Sequence, residues 1–190
     1  MNDIWHYSFN AELKDNRNKW CPVQGGEIPQ GKTFWFLRLT TFEDFLKRRS
    51  EVSGNPKKHF PTLETYAKLT CERILKYEPF DRTRFIDMYN RLKRGKHHSA
   101  KSMLKDIALP EKWYRLATLN NDGICWLADD GISASLLNLA SAIDSRGIGK
   151  IMLVELVRYL CEHGYKYFDA GISGDYGGYK KRIFLDSICG

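Results

Sequence analysis

The 190-residue chain is 43% hydrophobic, 13% aromatic and 28% charged, a balance that suits one well-packed globular domain and excludes a disordered or fibrous chain. No stretch approaches the ~20 consecutive apolar residues of a membrane span, and no basic segment followed by an apolar run opens the chain, so neither a membrane-spanning nor a secreted protein is expected. The net charge of +7 is uneven: residues 1–110 carry 21 Lys+Arg against 13 Asp+Glu, whereas residues 111–190 carry 9 against 10. The five cysteines are odd in number, widely spread and form no C-x-x-C pair, which points to a reducing, cytoplasmic compartment rather than to a disulfide framework or a zinc knuckle.

Residues 1–31 mix polar residues with Trp5, Tyr7, Phe9 and Trp20 and end in Pro/Gly punctuation, which reads as an N-terminal arm packed by its aromatics. Thr33 to Leu39 is dense in β-formers and predicts a buried strand. Thr40 or Thr41 can then cap a helix whose first turn holds Glu43 and Asp44. After Gly54-Asn55-Pro56, the spacing from Leu63 to Leu75 predicts a second helix, starting near Thr62 and broken near Pro79. A third covers Arg82 to Leu92, with Phe85, Ile86, Tyr89 and Leu92 inward. Its outer face and the connection that follows hold Arg82, Arg84, Arg91, Lys93, Arg94, Lys96, Lys101 and Lys105 against Asp87 alone. That run is either a polyanion-binding surface or a solvated charged face.

From Trp113 the pattern changes. Trp113 to Leu119, a four-residue Asn-Asn-Asp-Gly break and Ile124 to Ala128 make a hairpin signature, and Ser133 to Ile143 returns as a third antiparallel strand. Gly147 to His163 predicts a largely buried helix stopped by Gly164, and Tyr165 to Ile172 a further strand entering a glycine-rich loop.

The junction Asp144-Ser145-Arg146-Gly147-Ile148-Gly149-Lys150 joins strand to helix. Two glycines opening a helix can turn several amides toward one point, where the helix dipole adds positive potential and a pyrophosphate would be held. The same glycines also serve a plain strand-to-helix turn. The P-loop pattern is missing, because Ile151 follows Lys150, and so are the three-glycine dinucleotide fingerprint, H-E-x-x-H, an EF-hand loop and G-x-S-x-G. No metal site is expected.

Three strands, a loop reading S-R-G-I-G-K, a long apolar helix, another strand and a tyrosine-bearing segment resemble the GNAT superfamily of acyl-CoA-dependent N-acetyltransferases, over roughly residues 113–184. The resemblance implies an α/β fold with a mixed, largely antiparallel twisted sheet and helices on both faces. It implies one domain over 1–190, made of the arm (1–31), a first strand and basic helical region (32–110) and an acyl-CoA-binding core (111–190). Gly147 and Gly149 match the two glycines of the family's pyrophosphate loop, and Asp144 stands where Gln or Arg is usual. The resemblance thus assigns the acetyl-CoA (or another acyl-CoA) contact to Arg146, Gly147, Ile148, Gly149 and Lys150. Ala140, Ala142 and Ile143 would offer backbone groups to the pantetheine arm where the strands 133–143 and 165–172 splay apart.

Tyr179-Lys180-Lys181-Arg182-Ile183-Phe184 resembles the family's tyrosine followed by Gly-Phe, with Ile183 in place of the glycine. The resemblance makes Tyr179 the proton donor to the leaving thiolate, with Tyr176 as competitor; a phenol near pKa 10 stays protonated at neutral pH. Asp169 and Asp175 are the candidate carboxylates to take a proton from an amine acceptor. GNAT domains normally continue through a further helix and two strands, so either residues 184–188 form one abbreviated strand or a second subunit, in a homodimer for instance, completes the sheet. The segment Phe168 to Asp175 with the later Tyr-Lys-Lys-Arg is also similar to the aminoacyl-tRNA-dependent peptidyltransferases of GNAT-like fold. RNA, held on Arg82, Arg84, Arg91, Lys93, Arg94 and Lys96, is therefore the partner under the alternative readings, a nucleic-acid-binding module or an aminoacyl-tRNA-using transferase. A third alternative is an interaction protein whose glycines serve only turns.

Overall fold

The computed structural model describes residues 30–31, 33–52, 74–92, 100, 104, 111–142, 148–173 and 183–189. Outside them lie most of the expected arm, most of the expected helix from Thr62, and most of the basic connection. The site residues Lys93, Arg94, Lys96, Ile143, Arg146, Gly147, Asp175, Tyr176 and Tyr179 lie outside them as well.

The described elements are β1 (Thr33–Arg38), α1 (Phe42–Val52), β2 (Leu75–Pro79), α2 (Arg82–Leu92), a 3-10 turn (Glu111–Trp113), β3 (Tyr114–Leu119), β4 (Gly123–Asp129), β5 (Ser133–Ser141), α3 (Ile148–Glu162), β6 (Tyr167–Ser173) and β7 (Asp186–Cys189). The strands form one seven-stranded sheet in the order β2-β3-β4-β5-β6-β1-β7. Every pairing is antiparallel except β5 with β6. This is the expected fold class, a mixed, largely antiparallel sheet with helices on both faces.

Local chemistry accounts for the helix starts. Thr41 Oγ1 accepts the amide of Asp44 at 3.1 Å, so Thr41 is the cap of α1. Asp81 Oδ1 does the same for Arg84 at 2.9 Å and opens α2. At the far end of α3, Gly164 takes φ +75°, a left-handed conformation that a side chain would strain.

The two faces hold separate cores. On one, Phe85, Met88, Tyr89 and Leu92 of α2 pack against Phe34, Phe36, Tyr114, Leu116, Ile124, Trp126 and Ala140. On the other, α3 buries Ile148, Ile151, Met152, Val154, Leu156, Val157 and Leu160 against Leu37, Ala117, Leu119, Cys125, Leu127, Ala134 and Phe168. α1 joins this second face through Phe45, and the Arg158 guanidinium lies 4.7 Å over the Phe42 ring.

Three expectations are corrected. Leu75 does not end a helix: it opens β2, an edge strand that pairs from Leu75↔Leu119 to Pro79↔Arg115. Proline, with no amide to donate, is accommodated on such an edge, and Leu75 and Tyr77 pack beneath α3 on the second face. The hairpin break has three residues rather than four, because Leu119 pairs with Gly123 and Asn120 takes φ +48°. The third strand ends at Ser141, short of Ile143.

The C-terminal strand joins the sheet of its own chain. β1 lies between β6 and β7, pairing Thr33↔Ser173 to Arg38↔Tyr167 on one side and Thr33↔Cys189 to Phe36↔Asp186 on the other. The short C-terminal strand is therefore an edge laid on the first strand. Asp186 fastens it there, accepting the Arg38 amide at 2.8 Å and the Arg48 guanidinium at 2.7 Å.

Candidate functional site

β5 is a central strand, yet among the described residues only its first part has a neighbour on the β6 side. Parallel pairing runs through Ser133↔Tyr167, Ala134↔Phe168 and Ser135↔Asp169 and stops, while β5 continues to Ser141 and β6 to Ser173. Exposure follows the pairing. Ser133 to Ser135 are buried and Leu136 to Leu139 are half-buried, so the strand opens to its surroundings where its neighbour departs. On the other side β5 stays on β4, with an irregularity between Trp126↔Asn138 and Leu127↔Leu136 that leaves Leu137 as the extra residue. A bulge bends its strand and re-aims the side chains next to it.

At the vertex of this gap stand two buried polar residues. Ser135 Oγ donates to Asp169 Oδ2 at 2.5 Å, and both residues are about as buried as the core around them. Just beyond the bulge, the Oδ1 of Asn138 is buried and has no hydrogen-bond partner among the described residues. Paired residues of adjacent strands share a face. Asn138, opposite Trp126, and Asp169, opposite Phe36, therefore both lie on the α2 side of the sheet.

The opposite side of the gap meets the start of α3. A Cβ on Gly149 would lie 3.1 Å from Leu139 Cδ2 and 3.3 Å from Ser141 Oγ. The missing side chain is what lets the first turn of α3 settle against the free run of β5. Ile148 is itself a core residue, so its part in any ligand contact is confined to its amide. Gly149 and Lys150 are half-buried. The backbone direction along β5 corrects one expectation. Ala142 N–H is donated to Asp122 O at 2.8 Å, and by antiparallel alternation the groups of Ala140 also face β4. The backbone groups turned toward the gap are those of Leu139 and Ser141.

Of the sequence-predicted residues, Ala140 and Ala142 lie on or just past β5, Asp169 on β6 at its last pairing with β5, and Ile148, Gly149 and Lys150 in the first turn of α3. The basic candidates among the described residues have other partners. Arg82 is 3.6 Å from Glu111, Arg84 is paired with Glu78 and reaches Thr118, and Arg91 donates to Asn121 O at 3.2 Å. Ser135 and Asn138 escaped the sequence reading: both occupy a strand of small and apolar residues, and neither a bulge nor a parallel neighbour leaves a local signal.

A second polar cluster sits at the closed end of the same strands. The buried Asp129 carboxylate accepts from Tyr77 OH at 2.7 Å, Tyr165 OH at 2.8 Å and the Gly131 amide at 2.7 Å, with Arg115 Nε 3.7 Å away. Burial, and then the Asp129 charge, pushes the Tyr77 hydroxyl far above the ordinary phenol range. Tyr165 is shifted the same way, by burial first and then by its hydrogen bond to Asp129. Tyr77 also stacks on Tyr159 at 4.7 Å, and Tyr159 on His163 at 3.8 Å. The carboxylate, fully engaged, ties β2, β4 and the approach to β6 together.

No protein-family model matches the chain, and no curated protein matches it. Among solved structures, it is similar to the crystal structure of the C-terminal domain (DUF2156) of a "putative lysylphosphatidylglycerol synthetase" from Agrobacterium fabrum, with a TM-score of 0.43 and 13% identity. The match covers 82% of this chain and 52% of that one, so the chain spans about half the length of that structure. Among the described residues, no helix is long and apolar enough to cross a membrane.

Proposed function

We propose that the chain is an acyltransferase that moves an acyl group from a CoA thioester to an amine. The observation that carries this reading is the parting of β5 from β6 after Ser135↔Asp169. Among the described residues no strand pairs the β6 side of β5 beyond Ser135, and an extended ligand bearing its own amides can pair such an edge as a strand would. The first turn of α3 adjoins the same edge at Gly149, and the leading amides of a helix favour a phosphate. On this reading the backbone of Leu139 and Ser141 holds the amide-bearing arm, and the amides of Ile148, Gly149 and Lys150 hold the diphosphate. Arg146 and Gly147 belong to the same proposal on sequence grounds.

The reaction asks mainly for positioning and for stabilised charge. The amine nitrogen forms a bond to the thioester carbonyl carbon, the carbon–sulfur bond breaks, and the sulfur leaves as a thiolate. Asp169, at the vertex, takes the proton that the amine gives up, directly or through water. Tyr179, or Tyr176 in its place, supplies a proton to the thiolate.

Calorimetric titration with acetyl-CoA, beside a thermal melt, tests the reading. Saturable binding and a melting temperature that climbs with ligand concentration are expected. An unchanged melting temperature at millimolar acetyl-CoA, with no heat of binding, overturns it.

A further inference from the structure

We draw no further inference here: the strongest candidate, the side-chain cluster of Asp129, Tyr77 and Tyr165 that joins β2, β4 and the approach to β6, holds its hydrogen bonds within the cluster and only ties together the strands already described.

Discussion

Ser135 and Asp169 form the last rung on which β5 and β6 are paired, and their side chains repeat the contact that their backbones are about to lose, Oγ to Oδ2 at 2.5 Å. The bond pins a carboxylate at the point where the sheet opens. Replacing Asp169 by Asn keeps the shape and removes the proton acceptor. Turnover of an acetyl-CoA/amine pair should fall about 10²–10⁴-fold, the usual contribution of general acid–base catalysis, with acetyl-CoA affinity held. Steady-state kinetics beside calorimetry measure both. Ser135→Ala leaves the buried carboxylate one donor short and should cost about 1–3 kcal/mol in urea unfolding.

Gly149 tests the seat of α3. A valine there directs branched carbon at Leu139 Cδ2 and Ser141 Oγ, which already lie 3.1 and 3.3 Å from the position of a first side-chain atom. Overpacking of this kind costs about 1–3 kcal/mol. Lifting the first turn also moves the amides proposed for the diphosphate, so acetyl-CoA affinity should drop by at least tenfold while secondary structure persists by circular dichroism.

The Asp129 cluster predicts alkaline lability. Burial and the Asp129 carboxylate raise the Tyr77 and Tyr165 phenols above their ordinary value of 10.0 in the folded chain. The fold therefore binds protons that the unfolded chain releases. The associated stability is intact below pH 10 and is lost as pH rises past it. Urea midpoints between pH 9 and 11 should fall, less steeply in Tyr77→Phe than in the parent, and ultraviolet titration should show two phenols ionising only with unfolding. Tyr165→Phe, which loses a hydrogen bond to a charged acceptor from a half-exposed position, should cost about 1–2 kcal/mol at neutral pH.

Asp186 holds the edge strand. Its carboxylate accepts the Arg38 amide and the Arg48 guanidinium, at 2.8 and 2.7 Å, and the ion pair is partly exposed. Exposed pairs contribute little, so Asp186→Ala should lower global stability by about 1 kcal/mol or less. Its effect should be local: hydrogen exchange at the β7 amides should accelerate well beyond that of β4, because edge strands open independently of the sheet's centre.

Much of the architecture was legible in the residues because the relevant physics is local. The cap at Thr41, the stop at Gly164 and the apolar run of α3 each act within a few positions of chain, and β3 to β5 follow from β-forming runs set apart by turn residues. Leu75 to Pro79 misled for the converse reason. Apolar residues there continue a helical spacing, and the edge pairing with β3 that makes them a strand comes from residues 114–119. The candidate site divides the same way. Asp169 and the residues from Ile148 to Lys150 announced themselves through residue type and the glycine spacing. That Ser135 belongs beside Asp169, that Leu139 and Ser141 rather than Ala140 and Ala142 turn their backbone away from β4, and that β1 fills the slot between β6 and β7 all follow from strand order, register and a bulge. Those are agreements between segments far apart in the chain, and hydrogen-bond ladders form them only when distant strands meet. A short stretch of sequence carries its own torsional and capping preferences, but not the identity of the strand it will lie against.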